Sequence, residues 1–362
     1  MNRKIWKALG IAVCMLALAA PRAMAERYEV GEDAPFIKFG DAVDKINKLG
    51  DTENEIVLMQ DITLGVNYTL TNDKATTIKT TTIKGEGHTI FVEPNAGITV
   101  TGKGNVLNLG AEGYKGTLTI DRDPRDVSVP ENPRVAFITV SGGATANMYG
   151  NVTLQNWQFA GNACVVIMGS KSNSVFNMYG GVIENCSRAV TAASGATFYM
   201  QSGKIKDCRF GGNRVISVNG GSKFIMDGGT ISGCKADEGG GLYADHSTVT
   251  IKGGTISGCE GRWGGGLYAE NSSTIEISGG TISGCKVGAG GGLFVVGSTI
   301  RISGGIISEC TTSDTGNGGG LYAKDSTIKI TGGRIENNKA ALGGGVALIG
   351  VTLIPLLSGL LG

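Results

Sequence analysis

The apolar and polar residues in the second half of the chain alternate in short runs that recur at a regular interval. Each run has a period of two and lies between glycine-rich corners, a pattern typical of β-strands. Successive glycine triplets are 25, 26, 28 and 25 residues apart and begin at Gly239, Gly264, Gly290, Gly318 and Gly343. A repeat of this length indicates a solenoid of stacked coils.

Each repeat holds three such runs, which we call the first, second and third strand of a coil. In the copy that begins at Gly264, these strands contain Leu267, Ile275 and Ile282, respectively. A single coil offers no partners for its own backbone N–H and C=O groups, so these groups must pair with the neighbouring coils, about 4.8 Å away. The pattern therefore predicts an all-β fold, a parallel β-helix of about 12 coils.

The first 25 residues differ from the rest of the chain. Arg3, Lys4 and Lys7 precede an apolar run, and Ala23-Met24-Ala25 has the form of a cleavage site. We therefore predict a signal peptide over residues 1–25. The mature protein would then be exported and reside outside the cell, at the outer membrane or on the cell surface.

Residues 26–54 are predicted to cover the N-terminal end of the solenoid. The spacing of apolar residues favours an amphipathic helix over residues 35–49, with Asp41 as its N-cap. Its apolar face would shield the first coil from water and would consist of Phe39, Val43 and Ile46.

The remaining chain divides into irregular coils over residues 55–135 and regular repeats over residues 136–354. Three prolines and several charges interrupt the strand pattern between residues 121 and 134. They predict a loop extruded from the stack, either a solvated spacer or a binding loop. Residues 355–362 form an apolar tail, which either covers the C-terminal end or leads into further sequence.

One column of the aligned first strands combines small polar residues with aromatic rings. Its successive members are Thr191, Ser217, Tyr243, Tyr268, Phe294, Tyr322 and Ala347. Because the column accepts Thr and Ser, we predict that it faces water. The rings of Tyr243, Tyr268, Phe294 and Tyr322 would then form an outer stripe, either a platform for a glycan or protein partner or rings that only stack between coils.

A second column holds cysteines, each three residues after an isoleucine of the third strand. Its members are Cys186, Cys208, Cys234, Cys259, Cys285 and Cys310, and Asn338 takes this place in the last copy. They are interpreted as buried side chains lining a corner, as one or more disulfides, or as a metal or redox site. Since CxxC spacing is absent and the chain has 2 histidines, neither zinc nor another cofactor is expected.

The turns between each cysteine and the next glycine triplet vary in length and charge, so we expect them to form an exposed ridge. The overall charge does not favour nucleic acid as a partner. The full chain has a net charge of +1, and without the four basic residues of the signal segment 28 basic and 31 acidic residues remain, a charge of −3.

The repeats resemble those of the polymorphic outer-membrane proteins and related bacterial β-helix adhesins. GGGL at Gly239–Leu242 and in three later copies is similar to the GGA-I/L/V motif of that family. IxxC at Ile256–Cys259 is similar to its FxxN motif, with Cys in place of Asn in six copies. The resemblance covers roughly residues 140–354. It implies a right-handed parallel β-helix that is displayed on the cell surface, often as the passenger of an autotransporter in the outer membrane.

Three functions are compatible with these features. The leading hypothesis is a non-enzymatic, adhesin-like binding scaffold for a cell-surface glycan or protein. A polysaccharide lyase or glycoside hydrolase of the pectin-degrading β-helix type would need acidic groups stacked on adjacent coils. Asp245 and Glu270 share a column, but Val296 and Asp325 are predicted to follow, which breaks it. The third hypothesis is a purely structural component of the cell surface.

Overall fold

The computed structural model describes residues 25–33, 37–48, 52–71, 78–123, 136–158, 163–169, 172–209 and 214–354. In these ranges the chain forms one helix, Phe39–Lys48, and strands that pair in parallel between successive coils. The predicted parallel β-helix is confirmed.

The first strands stack into a sheet of 11 strands, one for each coil, so the solenoid has slightly fewer coils than predicted. The strands are Asn67–Leu70, Gly97–Thr101, Ile138–Ser141, Ala163–Met168, Arg188–Ala193, Ile216–Asn219, Leu242–Asp245, Leu267–Glu270, Leu293–Val296, Leu321–Lys324 and Val346–Ile349. We call this sheet the first-strand ladder.

The second and third strands form two ladders of one 22-stranded sheet. The second-strand ladder contains Glu26–Val30, Glu53–Leu58, Thr80–Lys84, Val106–Leu109, Thr145–Met148, Val175–Met178, Thr197–Met200, Lys223–Met226, Thr248–Ile251, Thr274–Ile277 and Thr352–Leu353. The third-strand ladder contains Ile62–Leu64, Thr89–Val92, Leu118–Arg122, Val152–Gln155, Val182–Glu184, Lys204–Lys206, Thr230–Ser232, Thr255–Ser257 and Thr281–Ser283. The long strands Thr299–Ser308 and Thr327–Glu336 belong to both ladders, and a register shift between Ile302 and Ile306 marks the corner between them.

A smaller sheet joins the turns that precede three of the glycine triplets. Its parallel strands are Glu260–Trp263, Lys286–Ala289 and Thr311–Thr312. Isolated bridges extend the same pairing to the flanking turns, for example between Lys235 and Glu260. The turns are therefore not only an exposed ridge. They form a short fourth ladder.

The core fills the space enclosed by the three long ladders. The inward column of the first strands is fully buried from Val190 to Leu321, whereas Val346 in the last coil is partly exposed. The isoleucine column of the third strands is buried in the same way from Ile183 to Ile307. Apolar side chains stacked in register form this core, which explains why the column positions follow from the sequence.

The predicted cover of the N-terminal end is confirmed. Phe39, Val43 and Ile46 of the helix are buried against the first coils. The helix begins at Phe39, so Asp41 lies in its first turn and is not the N-cap. Ahead of the helix, Glu26–Val30 pairs with Glu53–Leu58, so the cap segment also contributes a strand that was not predicted.

The predicted loop over residues 121–134 begins later than expected. Asp121 and Arg122 continue the strand Leu118–Arg122, in which Asp121 pairs with Gln155 of the next coil. Residues 124–135 lie outside the described residues, as do the predicted signal peptide up to residue 24 and the tail over residues 355–362. No helix in the described ranges is long and apolar enough to cross a membrane.

Candidate functional site

The four rings of the predicted stripe lie in one column on the outer face of the first-strand ladder. Tyr243 pairs with Tyr268, Tyr268 with Phe294, and Phe294 with Tyr322. Their ring centroids are 5.5, 5.2 and 4.7 Å apart, respectively. The column and its register are therefore as predicted.

The expected exposure of this stripe is wrong. Tyr243, Tyr268 and Phe294 are only 1%, 9% and 8% exposed, and Tyr322 is half-buried. Together they form a second hydrophobic cluster, separate from the core inside the solenoid. Contact with water was inferred from small polar residues in the same column, but Ser217 is itself only 2% exposed, so such residues do not mark a solvated face here.

The fourth ladder and one arginine provide the cover. The Trp263 ring lies 5.3 Å from that of Phe294, and Ala289 packs against the same cluster. At the other end, the Arg214 guanidinium lies 3.5 Å from the centre of the Tyr243 ring, a cation–π contact. The turns therefore lie against the outer face of the first strands and leave only the Tyr322 end of the row open.

Charged groups fix the buried end of the row. Arg214 donates from Nε and Nη2 to Oε2 of Glu238, at 2.9 and 2.7 Å. Glu270 accepts two phenolic hydrogen bonds, one from Tyr243 to Oε1 and one from Tyr268 to Oε2, the latter at 2.6 Å. Burial and the hydrogen bond to Glu270 raise the pKa of both tyrosines, so they remain donors at neutral pH.

We expect this network to limit stability at alkaline pH. The pKa of Tyr243 and of Tyr268 is raised in the folded protein, so their contribution is fully present below the unfolded value of about 10. This contribution to stability is lost as the pH rises toward and through the pKa values of the folded state, because the unfolded chain releases these protons first. In urea unfolding from pH 8 to pH 12, the Tyr243→Phe/Tyr268→Phe variant should show a shallower fall of the midpoint than the wild type. An equal fall of the midpoint in both proteins would mean that other groups, such as Tyr149, cause the loss of stability at alkaline pH.

The open end of the row leads into a cleft between the first-strand ladder and the fourth ladder. The cleft has a volume of about 550 Å³. Phe294 and Tyr322 line it on the side of the first strands, and Trp263, 37% exposed, lines it on the side of the turns. Exposed polar side chains complete the lining, namely Arg262, Ser313, Thr315 and Lys324.

The sequence identified two of the three aromatic residues of this lining. Phe294 and Tyr322 belong to the predicted stripe, whereas Trp263, Arg262 and the polar groups were missed. The sequence did mark Trp263, because EGRW at Glu260–Trp263 is the only turn between a cysteine and the next glycine triplet that contains an aromatic residue. Its position opposite Phe294 follows from the pairing of the turns, which alternation within the strands does not encode.

The two carboxylates that share a column, Asp245 and Glu270, are already engaged. Asp245 and Glu270 are adjacent in register, and the column continues through Val296 to Lys324, not to Asp325 as expected. Asp245 accepts a hydrogen bond from Asn271 at 2.9 Å and contacts His246. The acidic column is therefore interrupted, and none of the carboxylates in these hydrogen bonds lines the cleft.

The cysteine column is present in the third-strand corner. Cys186 forms a disulfide with Cys164, which precedes it by 22 residues and does not belong to the column. The others are buried free thiols, namely Cys208, Cys234, Cys259, Cys285 and Cys310. The hydrogen bond to Cys234 and burial raise the pKa of the Cys208 thiol, which keeps it protonated at neutral pH. The structure thus combines two of the interpretations, buried side chains and one disulfide.

Asn338 ends this column with shorter hydrogen bonds than the thiols make, since Cys310 Sγ donates to the carbonyl of Ile282 at 3.9 Å. The Asn338 Oδ1 accepts from the N–H of Cys310 and its Nδ2 donates to the carbonyl of Ile307, both at 2.9 Å. The amide therefore ties the last complete corner to the one before it. In the described ranges, no group of three or more His, Cys, Asp or Glu residues is arranged to hold a metal ion.

Comparison with known proteins supports the fold. Residues 194–352 match the family model described as the right-handed β-helix region. No curated protein and no solved structure matches the chain. The matched residues include both sides of the cleft and most of the cysteine column. The stacked ladders and this match together show that the fold is a right-handed parallel β-helix.

Proposed function

We propose that the protein is an exported, surface-displayed and non-enzymatic binding scaffold that holds a glycan in the cleft between Trp263 and Tyr322. The observation that carries this proposal is an open cleft with aromatic rings on two sides and polar groups at its rim. Pockets for small ligands combine these features, since apolar surface provides affinity and a few polar groups provide orientation.

The chemistry of a pyranose ring matches this lining. One face of a sugar carries C–H groups that can lie on an aromatic ring, while its hydroxyls need donors and acceptors at the edges. The rings of Trp263 and Tyr322 offer the first surface, and Ser313 offers a hydroxyl. Arg262 and Lys324 add positive charge, so acidic sugars are preferred candidates.

The aromatic side chains of the cleft are held in place by paired strands. Phe294 and Tyr322 stand on paired strands, with rings 4.7 Å apart and nearly parallel at 12°. Trp263 is held by a parallel strand pair with Ala289 as its partner. A ligand would therefore meet side chains that are already in place, which lowers the entropic cost of binding.

The engaged carboxylates favour binding over catalysis. Hydrolysis or lyase chemistry needs a pair of groups near the scissile bond that can exchange protons. Glu238, Asp245 and Glu270 are occupied by Arg214, Asn271 and two tyrosines, respectively. The cleft lining in the described chain contains neither Asp nor Glu.

The test is glycan-array binding of the full chain and of the Trp263→Ser/Tyr322→Ser variant. We expect the wild type to bind acidic glycans and the variant to lose at least about tenfold in affinity for them. Tyr243 and Tyr268 are left intact because they are buried. The Val66→Ser/Ile330→Ser variant changes two exposed apolar side chains away from the cleft and is the matched control.

Two results would overturn the proposal. One is unchanged binding of acidic glycans on the array by a Trp263→Ser/Tyr322→Ser variant whose circular dichroism equals that of the wild type. The other is release of reducing ends or unsaturated products from an acidic polysaccharide in the presence of calcium, which would make the protein an enzyme.

A further inference from the structure

A second groove lies on another corner of the solenoid, between the second-strand and third-strand ladders. It has a volume of about 740 Å³ and is lined by tyrosines from three different coils. Tyr149 and Tyr179 directly follow the strands Thr145–Met148 and Val175–Met178, and Tyr114 lies in the corresponding turn of the preceding coil. Nothing in the first cleft depends on these residues.

The register of the second strands aligns two of these rings. Met148 pairs with Met178, so the residues that follow them occupy the same place on adjacent coils. The rings of Tyr149 and Tyr179 are 5.5 Å apart and inclined by 33°, close to the spacing of about 4.8 Å between parallel strands. They form a short aromatic surface along the axis of the solenoid, and Tyr179 is 38% exposed.

Glycines keep this corner open. A Cβ atom on Gly180 would lie 2.7 Å from the Cα atom of Gly150, so the two turns stack this closely only because Gly180 lacks a side chain. Gly150 has no atom within 4 Å of its own Cβ position, and it lines the groove. The base of the groove is therefore backbone, which leaves room beside the rings and presents peptide groups to a ligand.

The third tyrosine is fixed by its neighbours. The hydroxyl of Tyr114 accepts a hydrogen bond from the N–H of Glu86 at 2.9 Å, and its carbonyl accepts one from Asn151 Nδ2 at 2.8 Å. Lys84, whose Nζ lies 5.6 Å from the centre of the Tyr114 ring, is paired with Glu55. This wall of the groove is thus ordered before any ligand binds.

Among the residues that the structure describes, the remaining lining is mostly polar and contains no cation. Asn151, Gln201 and Ser202 are exposed and offer amide and hydroxyl groups, and Glu112 adds one carboxylate. A sulfated or uronate sugar would meet no positive charge here and would face Glu112. A neutral sugar would find stacking surface, donors and acceptors.

From this arrangement we propose that the groove binds a neutral, linear oligosaccharide. The chain of sugars runs along the solenoid axis, with rings stacked on Tyr149 and Tyr179 and hydroxyls bonded to Gln201 and Asn151. The site is independent of the cleft at Trp263, and the two differ in charge, since that cleft carries Arg262 and Lys324.

The test uses the full chain with the Trp263→Ser/Tyr322→Ser changes, which silence the first cleft. Cellohexaose, maltohexaose and chitohexaose serve as neutral probes in isothermal titration calorimetry, and hexagalacturonate serves as the acidic probe. We expect at least one neutral probe to bind and hexagalacturonate to bind at least about tenfold more weakly. Adding Tyr179→Ser, a change of one exposed ring, should lower the affinity for the neutral probe by about tenfold. Adding Gln201→Ala instead should lower this affinity less.

Three results would overturn the inference: no neutral probe binds, hexagalacturonate binds best, or Tyr179→Ser leaves the affinity unchanged. Circular dichroism of each variant shows whether the fold is intact. Failure here leaves the proposed function untouched, because that proposal is tested by a different pair of rings.

Discussion

The Ile46→Asp variant is expected to unfold the N-terminal coils. Ile46 is 1% exposed, and it lies on the buried face of the helix Phe39–Lys48 together with Val43. An aspartate there would lose the apolar contacts and bury an unpaired charge, at a cost of about 4 kcal/mol or more. This is a large part of the stability of an ordinary domain.

Hydrogen bonds that hold the helix to the first coil add to this effect. The buried Lys79 donates from Nζ to the carbonyls of Ile46 and Asn47, at 2.7 and 3.0 Å. The Asn47 side chain binds the backbone of Thr69 and Thr71. A helix displaced by the aspartate would leave these partners unsatisfied, and the core of the first coil would meet water.

Hydrogen exchange measured by mass spectrometry gives the readout. Strands near the helix, such as Glu53–Leu58, should lose protection, while distant strands such as Leu293–Val296 should keep theirs, because coils contact only their neighbours. Lys45→Asp places the same residue on the exposed face and should cost less than about 1 kcal/mol. Equal protection of Glu53–Leu58 in the Ile46→Asp variant and the wild type would contradict a covering role for the helix.

The Gly265→Ala variant is expected to lose about 3 kcal/mol, the upper end of the usual cost of overpacking. A Cβ atom at this position would lie 2.7 Å from the carbonyl oxygen of Gly291, 2.7 Å from Cγ1 of Val287 and 2.9 Å from Cβ of Cys285. The carbonyl of Gly265 also accepts a ladder hydrogen bond from Gly241 at 3.0 Å. The backbone therefore cannot move away without breaking the pairing between coils.

Gly150→Ala is the matched control for this steric argument. No atom lies within 4 Å of a Cβ built on Gly150, and neither glycine has a positive φ angle, so backbone strain does not contribute. In urea unfolding followed by circular dichroism, only Gly265→Ala should shift the midpoint. Equal midpoints for Gly265→Ala and Gly150→Ala would show that the glycine triplets are not needed for close approach of the coils.

Most of the fold could be predicted from the sequence because neighbouring coils repeat it. Once the copies are aligned, the pairing of Leu242 with Leu267 or of Ile256 with Ile282 follows directly, since identical inward side chains fix the register. The covering helix was equally clear from the spacing of Phe39, Val43 and Ile46. These features depend on local periodicity, which a single sequence displays.

Contacts between segments that do not occupy equivalent places in the repeat could not be predicted in this way. Trp263 reaches Phe294 only because the intervening turns pair with one another, and no alternation marks such a ladder. Cys164 meets Cys186 across adjacent coils although their separation of 22 residues departs from the repeat. The short strand Glu26–Val30 pairs with a strand beyond the helix, so its partner is not adjacent in the chain.

The exact repetition of register also makes the coils interchangeable. Thr255 pairs with Thr281 and Ile256 with Ile282, and Thr281 is followed by the same sequence, ISGC, as Thr255. A chain that passed directly from Gly254 to Thr281 would join matching corners and keep every remaining ladder in phase. Unequal recombination between such repeats could therefore lengthen or shorten the rod by whole coils, while the helix at one end and Asn338 near the other stayed in place.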